Sequence, residues 1–224
     1  MTYRLSPSSL NLFRECPRCF WLAMVKNVRR PSGPMSSIPI KMDSIIKSYY
    51  NRHRGLELPP TLKGQVEGRL AVGMPLTLHY EAVKDNVVVW GRPDDYIELE
   101  DASIAVLDNK TASKAPLGVH PSYQLQMDVY SYLLRMNGYK IADKAFLGYY
   151  SPIDSELHHG MGICCTVVEV ATNPNRVKDL VHEAFGVLSE TMPEPGEKCP
   201  YCTWSGELHK MVLSRSFTRE ENTE

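Results

Sequence analysis

Apolar residues recur every three or four positions at the start of the chain, then alternate with polar ones through its middle. Ser6-Pro7 suits the start of a helix, with serine capping and proline at the first helical position. Leu10, Phe13 and Phe20-Trp21-Leu22 then give one apolar stripe that includes Cys16 and Cys19. The basic, Pro/Ser/Gly-rich stretch Val25–Ser37 reads as a loop, and Met42, Ile45, Ile46, Tyr49 and Tyr50 mark a helix over Met42–His53. After Pro59-Pro60 and a weaker segment to about Leu70, the period shortens to two. Leu76–Val83, Val87–Leu99 and Ile104–Thr111 predict an antiparallel meander, with turns at Lys84-Asp85-Asn86 and Glu100-Asp101-Ala102. A helix over Ser122–Met136 ends at Asn137-Gly138, strands follow at Ala145–Tyr150 and Ile163–Val170, and Asn173-Pro174 opens another helix. That last helix carries Val177, Leu180, Val181, Ala184, Phe185 and Leu188 on one face. Strands and helices mixed in this order predict an α/β fold, and a polar tail from Ser214 is expected to be disordered.

At 224 residues the chain suits one domain, or a domain with an appendage. No apolar run is long enough to span a bilayer, and the N-terminus has no signal-peptide pattern, so a cytoplasmic protein without membrane contact is expected. The net charge of -1 excludes a general polycationic coat for nucleic acid, but leaves room for a local basic groove. Arg14, Arg18, Lys26, Arg29 and Arg30 are candidates for phosphate contacts there, with Lys114 farther along. Six cysteines are too few for a disulfide scaffold of this length. Four of them form two C-x-x-C pairs, Cys16/Cys19 and Cys199/Cys202, a plausible four-thiolate site joining the chain's two ends. By spacing alone such a site suits a structural Zn²⁺, and the same donors suit an iron–sulfur cluster. Cys164-Cys165 lies in an alternating run and reads as strand filler, one sulfur to each face.

Three polar features interrupt the apolar middle: Gly91-Arg92-Pro93-Asp94-Asp95, Asp108-Asn109-Lys110, and Gln126 with Tyr130. On a strand Asp108 and Lys110 share a face, and on a helix Gln126 and Tyr130 do. If the two strands pair, Asp94 and Asp108 approach each other, and two carboxylates there call for a divalent cation. Mg²⁺ and Mn²⁺ favour oxygen donors, while a lysine two residues from a ligand can orient a water or stabilise charge on phosphorus. Any one of these features is common.

Their order is not. G-x-x-D on a strand, (D/E)-x-K on the next and Q-x-x-x-Y on the following helix resembles the PD-(D/E)xK nuclease superfamily. The likeness is specifically to its RecB-like branch, which includes the CRISPR-associated exonucleases; the opening LSPSSLNLFRECPRCFWL is similar to the first helix of that branch. The resemblance runs from about Leu5 to Trp204. It implies a restriction-endonuclease-like core with a mixed central sheet flanked by helices. The expected layout is a single nuclease domain over 1–213, with a helical part at about 5–70, a core at about 76–190 and a cysteine-bearing segment at 191–213. It implies Asp94 and Asp108 as metal ligands with the Asn109 carbonyl, Lys110 as the catalytic lysine, and Gln126 and Tyr130 as orienting residues. It further implies DNA, as single strands or ends, as substrate, and a helicase or CRISPR-adaptation complex as partners; oligomeric state stays open. It tilts the four cysteines toward a 4Fe–4S cluster over zinc.

Two departures are visible. Many members place a metal-binding histidine on an early helix, whereas Ile40–Tyr50 has none and offers Asp43 and Lys47. Iron–sulfur members contribute one N-terminal and three C-terminal cysteines, whereas this chain has two and two. Functions of other classes are a nucleic-acid-binding module with a zinc knuckle, and an inactive nuclease-fold scaffold subunit.

Overall fold

The computed structural model describes residues 2–34, 36–82 and 86–220, with side chains through 214. In chain order the elements are β1 (Tyr3–Leu5), α1 (Pro7–Glu15), α2 (Pro17–Val25), α3 (Ser37–Asn51), β2 (Arg69–Leu70), β3 (Leu78–Ala82), β4 (Val87–Gly91) and β5 (Asp95–Glu98). They continue with β6 (Ile104–Thr111), α4 (Pro121–Met136), β7 (Lys144–Pro152), β8 (Ile163–Ala171), α5 (Asn175–Ser189) and α6 (Pro200–Glu220). The residues group into two compact units: Met1–Ser8 with Pro34–His182, and Ser9–Gly33 with Glu183–Glu224. The cysteine-bearing ends thus form a unit of their own, and the sheets belong to the other.

The first unit holds two mixed sheets. In the smaller, β4 lies between β1, which it meets parallel, and β3, which it meets antiparallel. The larger has the order β2-β5-β6-β7-β8, with β6 and β7 parallel and the other neighbours antiparallel. The single strand expected over Val87–Leu99 is therefore two, assigned to different sheets. Pro93 is the physical reason: it has no N–H to give a ladder and its φ is fixed, so pairing stops at Gly91 and resumes at Asp95. The predicted single N-terminal helix also divides, because Cys16 adopts an extended backbone (φ -161°, ψ 104°) and Pro17 starts a new helix. Of the turn expected at 84–86, residues 84 and 85 lie outside the described residues.

Alternation along β6 explains how that strand sits. Ala105 and Leu107 face a core with Ile46 and Tyr50 of α3, Ile97 of β5, and Phe146 and Tyr150 of β7. Complete burial of a residue such as Leu107 contributes about 1.5–3 kcal/mol. The opposite face meets α4, which is buried at Leu125, Met127, Val129, Tyr130, Leu133 and Leu134. A helix apolar nearly all round needs neighbours on several sides. α4 finds them by packing against β3 and β4 as well as β6, so it binds the two sheets together. It stops at Asn137 and Gly138, the latter with φ 84°, as its sequence predicts.

In the second unit the indole of Trp21 donates to the Glu190 carbonyl at 3.1 Å. α6 runs to Glu220 with no proline or glycine after Gly206 to interrupt it, and 221–224 lie outside the described residues.

Candidate active site and cysteine centre

The apolar run of β6 ends at Leu107, and the next three side chains alternate between faces. Asp108 and Lys110 project toward α4. Asn109 projects the other way, where Tyr50 donates to its Oδ1 at 3.4 Å and lies 2.6 Å, hydroxyl to hydroxyl, from Tyr150. Asp94 sits one residue before β5. Because Asp95 pairs with Leu107, the antiparallel register carried one step outward sets Asp94 opposite Asp108. The Asp94 Oδ2 accepts the backbone N–H of Asn109 at 3.0 Å, which fixes it there.

Gln126 joins the groups on the α4 side. Its Nε2 donates to Asp108 Oδ1 and to the Tyr130 hydroxyl, each at 3.0 Å, and its Oε1 accepts from Lys110 Nζ at 2.9 Å. Tyr130 in turn donates to the Arg92 carbonyl at 3.2 Å. One amide therefore spends both donors and its acceptor on holding the carboxylate, the lysine and the tyrosine in one arrangement. Gly91 makes room for it. A Cβ at that position would lie 2.6 Å from a Tyr130 ring carbon, so the aromatic ring packs directly over the glycine backbone.

Asp108 is 3% exposed. Burial disfavours its charge and Asp94 adds repulsion; Lys110 offsets part of this, and the carboxyl is pushed up to about 6. Its Oδ2 is in ion-pair contact with Lys110 but has no hydrogen bond from any described group. A buried carboxylate oxygen left in this state, opposite a second carboxylate, fits a divalent cation with oxygen ligands.

Two further residues stand at this site. Lys47 of α3 lies 3.2 Å from Asp94 Oδ1 and 2.7 Å from Asp43 Oδ1. Burial works against its charge, and Asp43 and Asp94 outweigh that, holding the ammonium above the usual lysine range. Sequence patterns show Asp43 and Lys47 only as an ordinary i,i+4 pair; nothing local reveals that α3 brings them to Asp94. The adjacent Asp95 plays a different part. It is buried and receives two bonds from the Arg54 guanidinium, at 2.9 and 2.7 Å, an arrangement that anchors the start of β5.

The second unit gathers Cys16, Cys19, Cys199 and Cys202, whose sulfurs all lie within 4.8 Å of one another. Both pairs read C-P-x-C, with the first cysteine just before a helix and proline as its first residue. Cys16 caps α2, its sulfur accepting the Cys19 N–H at 3.4 Å and the Gly196 N–H at 3.3 Å. Burial opposes a thiolate, but these amide donors outweigh it and lower Cys16 to about 6. Gly196 has no room for a side chain, since a Cβ would strike the Glu15 carbonyl. Four soft donors converging from two helix N-termini fit a thiophilic metal. Cys164 and Cys165 lie on β8 and are not part of this group: Cys164 is 3.5 Å from the Ser151 carbonyl and Cys165 packs on the sheet core.

A family model described as the PD-(D/E)XK nuclease superfamily matches residues 50–206. The chain belongs to that superfamily. The match includes Asp94, Asp108, Lys110, Gln126 and Tyr130, together with the second cysteine pair, while the first pair lies ahead of it. No curated protein sequence matches. Among solved structures, the crystal structure of SSO0001 is similar at 17% identity and TM-score 0.44, over 90% of this chain and 84% of that one. LHK-Exo in complex with dAMP is similar at 13% identity and TM-score 0.40, over 96% and 93%.

Proposed function

We propose that this PD-(D/E)XK protein is a metal-dependent DNA nuclease of RecB-like type that hydrolyses phosphodiester bonds in single strands or at DNA ends. The observation that carries the proposal is the Gln126 network: it holds Lys110 beside Asp108 while one buried oxygen of Asp108 stays without a hydrogen bond. Asp94, Asp108 and the Asn109 carbonyl would hold Mg²⁺ or Mn²⁺. When bound, that ion polarises the phosphate and lowers the pKa of a water. Lys110 is placed to orient the attacking water and to offset negative charge on phosphorus, in a site where burial strengthens such interactions. Gln126 bridges Lys110 and Asp108 in one arrangement, and Tyr130 braces Gln126 against the Arg92 backbone. Lys47 takes up the Asp94 charge from the α3 side, where many RecB-like members carry a histidine. A purely binding or scaffolding protein has no need of this arrangement. The RecB-like resemblance also supports a helicase or CRISPR-adaptation complex as partner and a cytoplasmic location; no helix among the described residues is long and apolar enough to cross a membrane.

For the cysteines we propose one tetrahedral metal ion, zinc, over a 4Fe–4S cluster. Three sulfur–sulfur separations are 3.6–3.7 Å. Metal–sulfur bonds of about 2.3 Å around one tetrahedral ion give edges of about 3.8 Å. A cubane cluster puts each thiolate on a separate iron and spreads them farther apart.

The deciding experiment incubates 5′- and 3′-labelled single- and double-stranded DNA with protein in Mg²⁺, Mn²⁺ or EDTA. Cleavage that requires the divalent ion is expected, and Lys110→Ala should lower it by about a hundredfold or more while the protein stays folded. Wild-type turnover in Lys110→Ala would remove the lysine from the chemistry.

A further inference from the structure

Within the unit formed by Ser9–Gly33 and Glu183–Glu224, a cavity of about 420 Å³ opens beside the cysteine centre. Three arginines line it, Arg18, Arg29 and Arg30, together with Tyr201 and Trp204 of α6, and no carboxylate among the described residues does. Leu22 and Val28 supply its apolar surface. The volume lies in the range of pockets that take small molecules or single residues of a polymer.

Each wall has a distinct state. Arg18 is tied down, donating to the Pro193 carbonyl at 2.9 Å and to Glu194 at 3.1 Å. Arg30 lies 4.7 Å from the Tyr201 ring centre, pairs with Glu15 at 2.6 Å and reaches the Cys199 sulfur at 3.6 Å; its buried Nε has no partner among the described residues. Arg29 has no ion pair or hydrogen bond among the described residues. Trp204, 63% exposed, leaves most of its indole open at this cavity.

The Arg29 guanidinium, without a carboxylate partner among the described residues, selects an anion, and an open indole selects a planar ring. A ligand with both, joined at about the length of one residue, is a nucleotide. A base can reach an indole face only when it is not already stacked in a duplex, so the strand must be single. We propose that this cavity is a docking site for single-stranded nucleic acid, with a base stacked on Trp204 and the neighbouring phosphate on Arg29. Arg30 fixes Tyr201 as the second aromatic wall and ties the pocket to the cysteine centre through Cys199. The site lies in the unit without the carboxylates, and the argument for it stands apart from the catalytic reading.

The test is fluorescence anisotropy of a labelled oligothymidylate titrated with full-length, metal-loaded protein. No Mg²⁺ or Mn²⁺ is added, so binding is read without cleavage and a failure of the nuclease reading leaves the measurement intact. Trp204→Ala and Arg29→Ala should each weaken binding about tenfold, the value of one lost base stack or phosphate contact. Trp204→Phe should restore most of the affinity, and Arg29→Ala should flatten the salt dependence by about one counterion. Metal content at the cysteines, unchanged in all three variants, shows that the unit is folded. Unaltered affinity in the Trp204→Ala, Arg29→Ala double variant would overturn the proposal. So would a Trp204→Phe protein as weak as Trp204→Ala, or equal dependence on Trp204 for a duplex of the same length.

Discussion

At Gln126 three interactions meet on one side chain, and each would be costly to lose in a buried site. Removing the amide leaves Asp108 Oδ1 and Lys110 Nζ short of a partner, which typically costs about 1–3 kcal/mol per buried polar group. The roles of the neighbouring carboxylates can be separated from this one by calorimetric titration with Mn²⁺. Asp94→Ala and Asp108→Ala are expected to lose most of the affinity, whereas Gln126→Ala should bind Mn²⁺ and cleave poorly, because it positions the lysine without touching the ion. Unchanged affinity in both aspartate variants would remove the two-carboxylate site. Asp108 and Lys110 were readable in the sequence because a strand's period of two puts them on one face. Lys47 was not. Its pairing with Asp43 is local, but its contact with Asp94 depends on α3 packing against the sheet, a tertiary fact with no sequence periodicity. The pairing of Arg54 with Asp95 was equally hidden, since it joins residues 41 apart in the chain.

Among the elements, the break at Arg92-Pro93-Asp94 matters more than any strand's length. Apolar residues on both sides of it, Val87–Trp90 and Tyr96–Leu99, make the sequence read as one strand. Pro93 interrupts the ladder, so the chain passes from the small sheet to the large one and leaves Asp94 in a bend, facing Asp108. The G-x-x-D spacing therefore describes a sheet-to-sheet crossing whose first residue must be small enough for Tyr130. Gly91→Ala should displace that ring, destabilise the fold by about 1–3 kcal/mol as an overpacked site does, and disturb Gln126. Urea unfolding gives the first effect, and cleavage by the still-folded fraction gives the second. A Gly91→Ala protein with wild-type stability and activity would show that Tyr130 can move freely. The repeated C-P-x-C shows the same logic at the helix ends: a proline starts each helix, so the cysteine before it sits where amide N–H groups point.

For the whole molecule, the alternating and helical periods were enough to reveal a mixed α/β chain, though not the short strands β1 and β2 or the helix α6. They could not reveal that its ends form a separate unit, since that depends on contacts between segments about 170 residues apart, such as Trp21 with Glu190. The four cysteines are drawn together by the same long-range contacts. Anaerobically purified protein should contain one metal per chain, and Ser in place of Cys16, Cys19, Cys199 or Cys202 should release it, while Cys164→Ser and Cys165→Ser retain it. Zinc leaves the protein colourless and iron–sulfur makes it brown, so elemental analysis and absorbance identify the occupant together. Metal-free wild-type protein of undiminished stability would leave these four as ordinary buried thiols. The order of the chain also gives the centre a history. During synthesis Cys16 and Cys19 leave the ribosome long before Cys199 and Cys202, by about 10–40 s at ordinary elongation speeds. Throughout that interval the first two thiols wait without their partners and without the Gly196 N–H that lowers Cys16 in the folded unit, and the nascent chain depends on a reducing surrounding to arrive at its last cysteine with the first two intact.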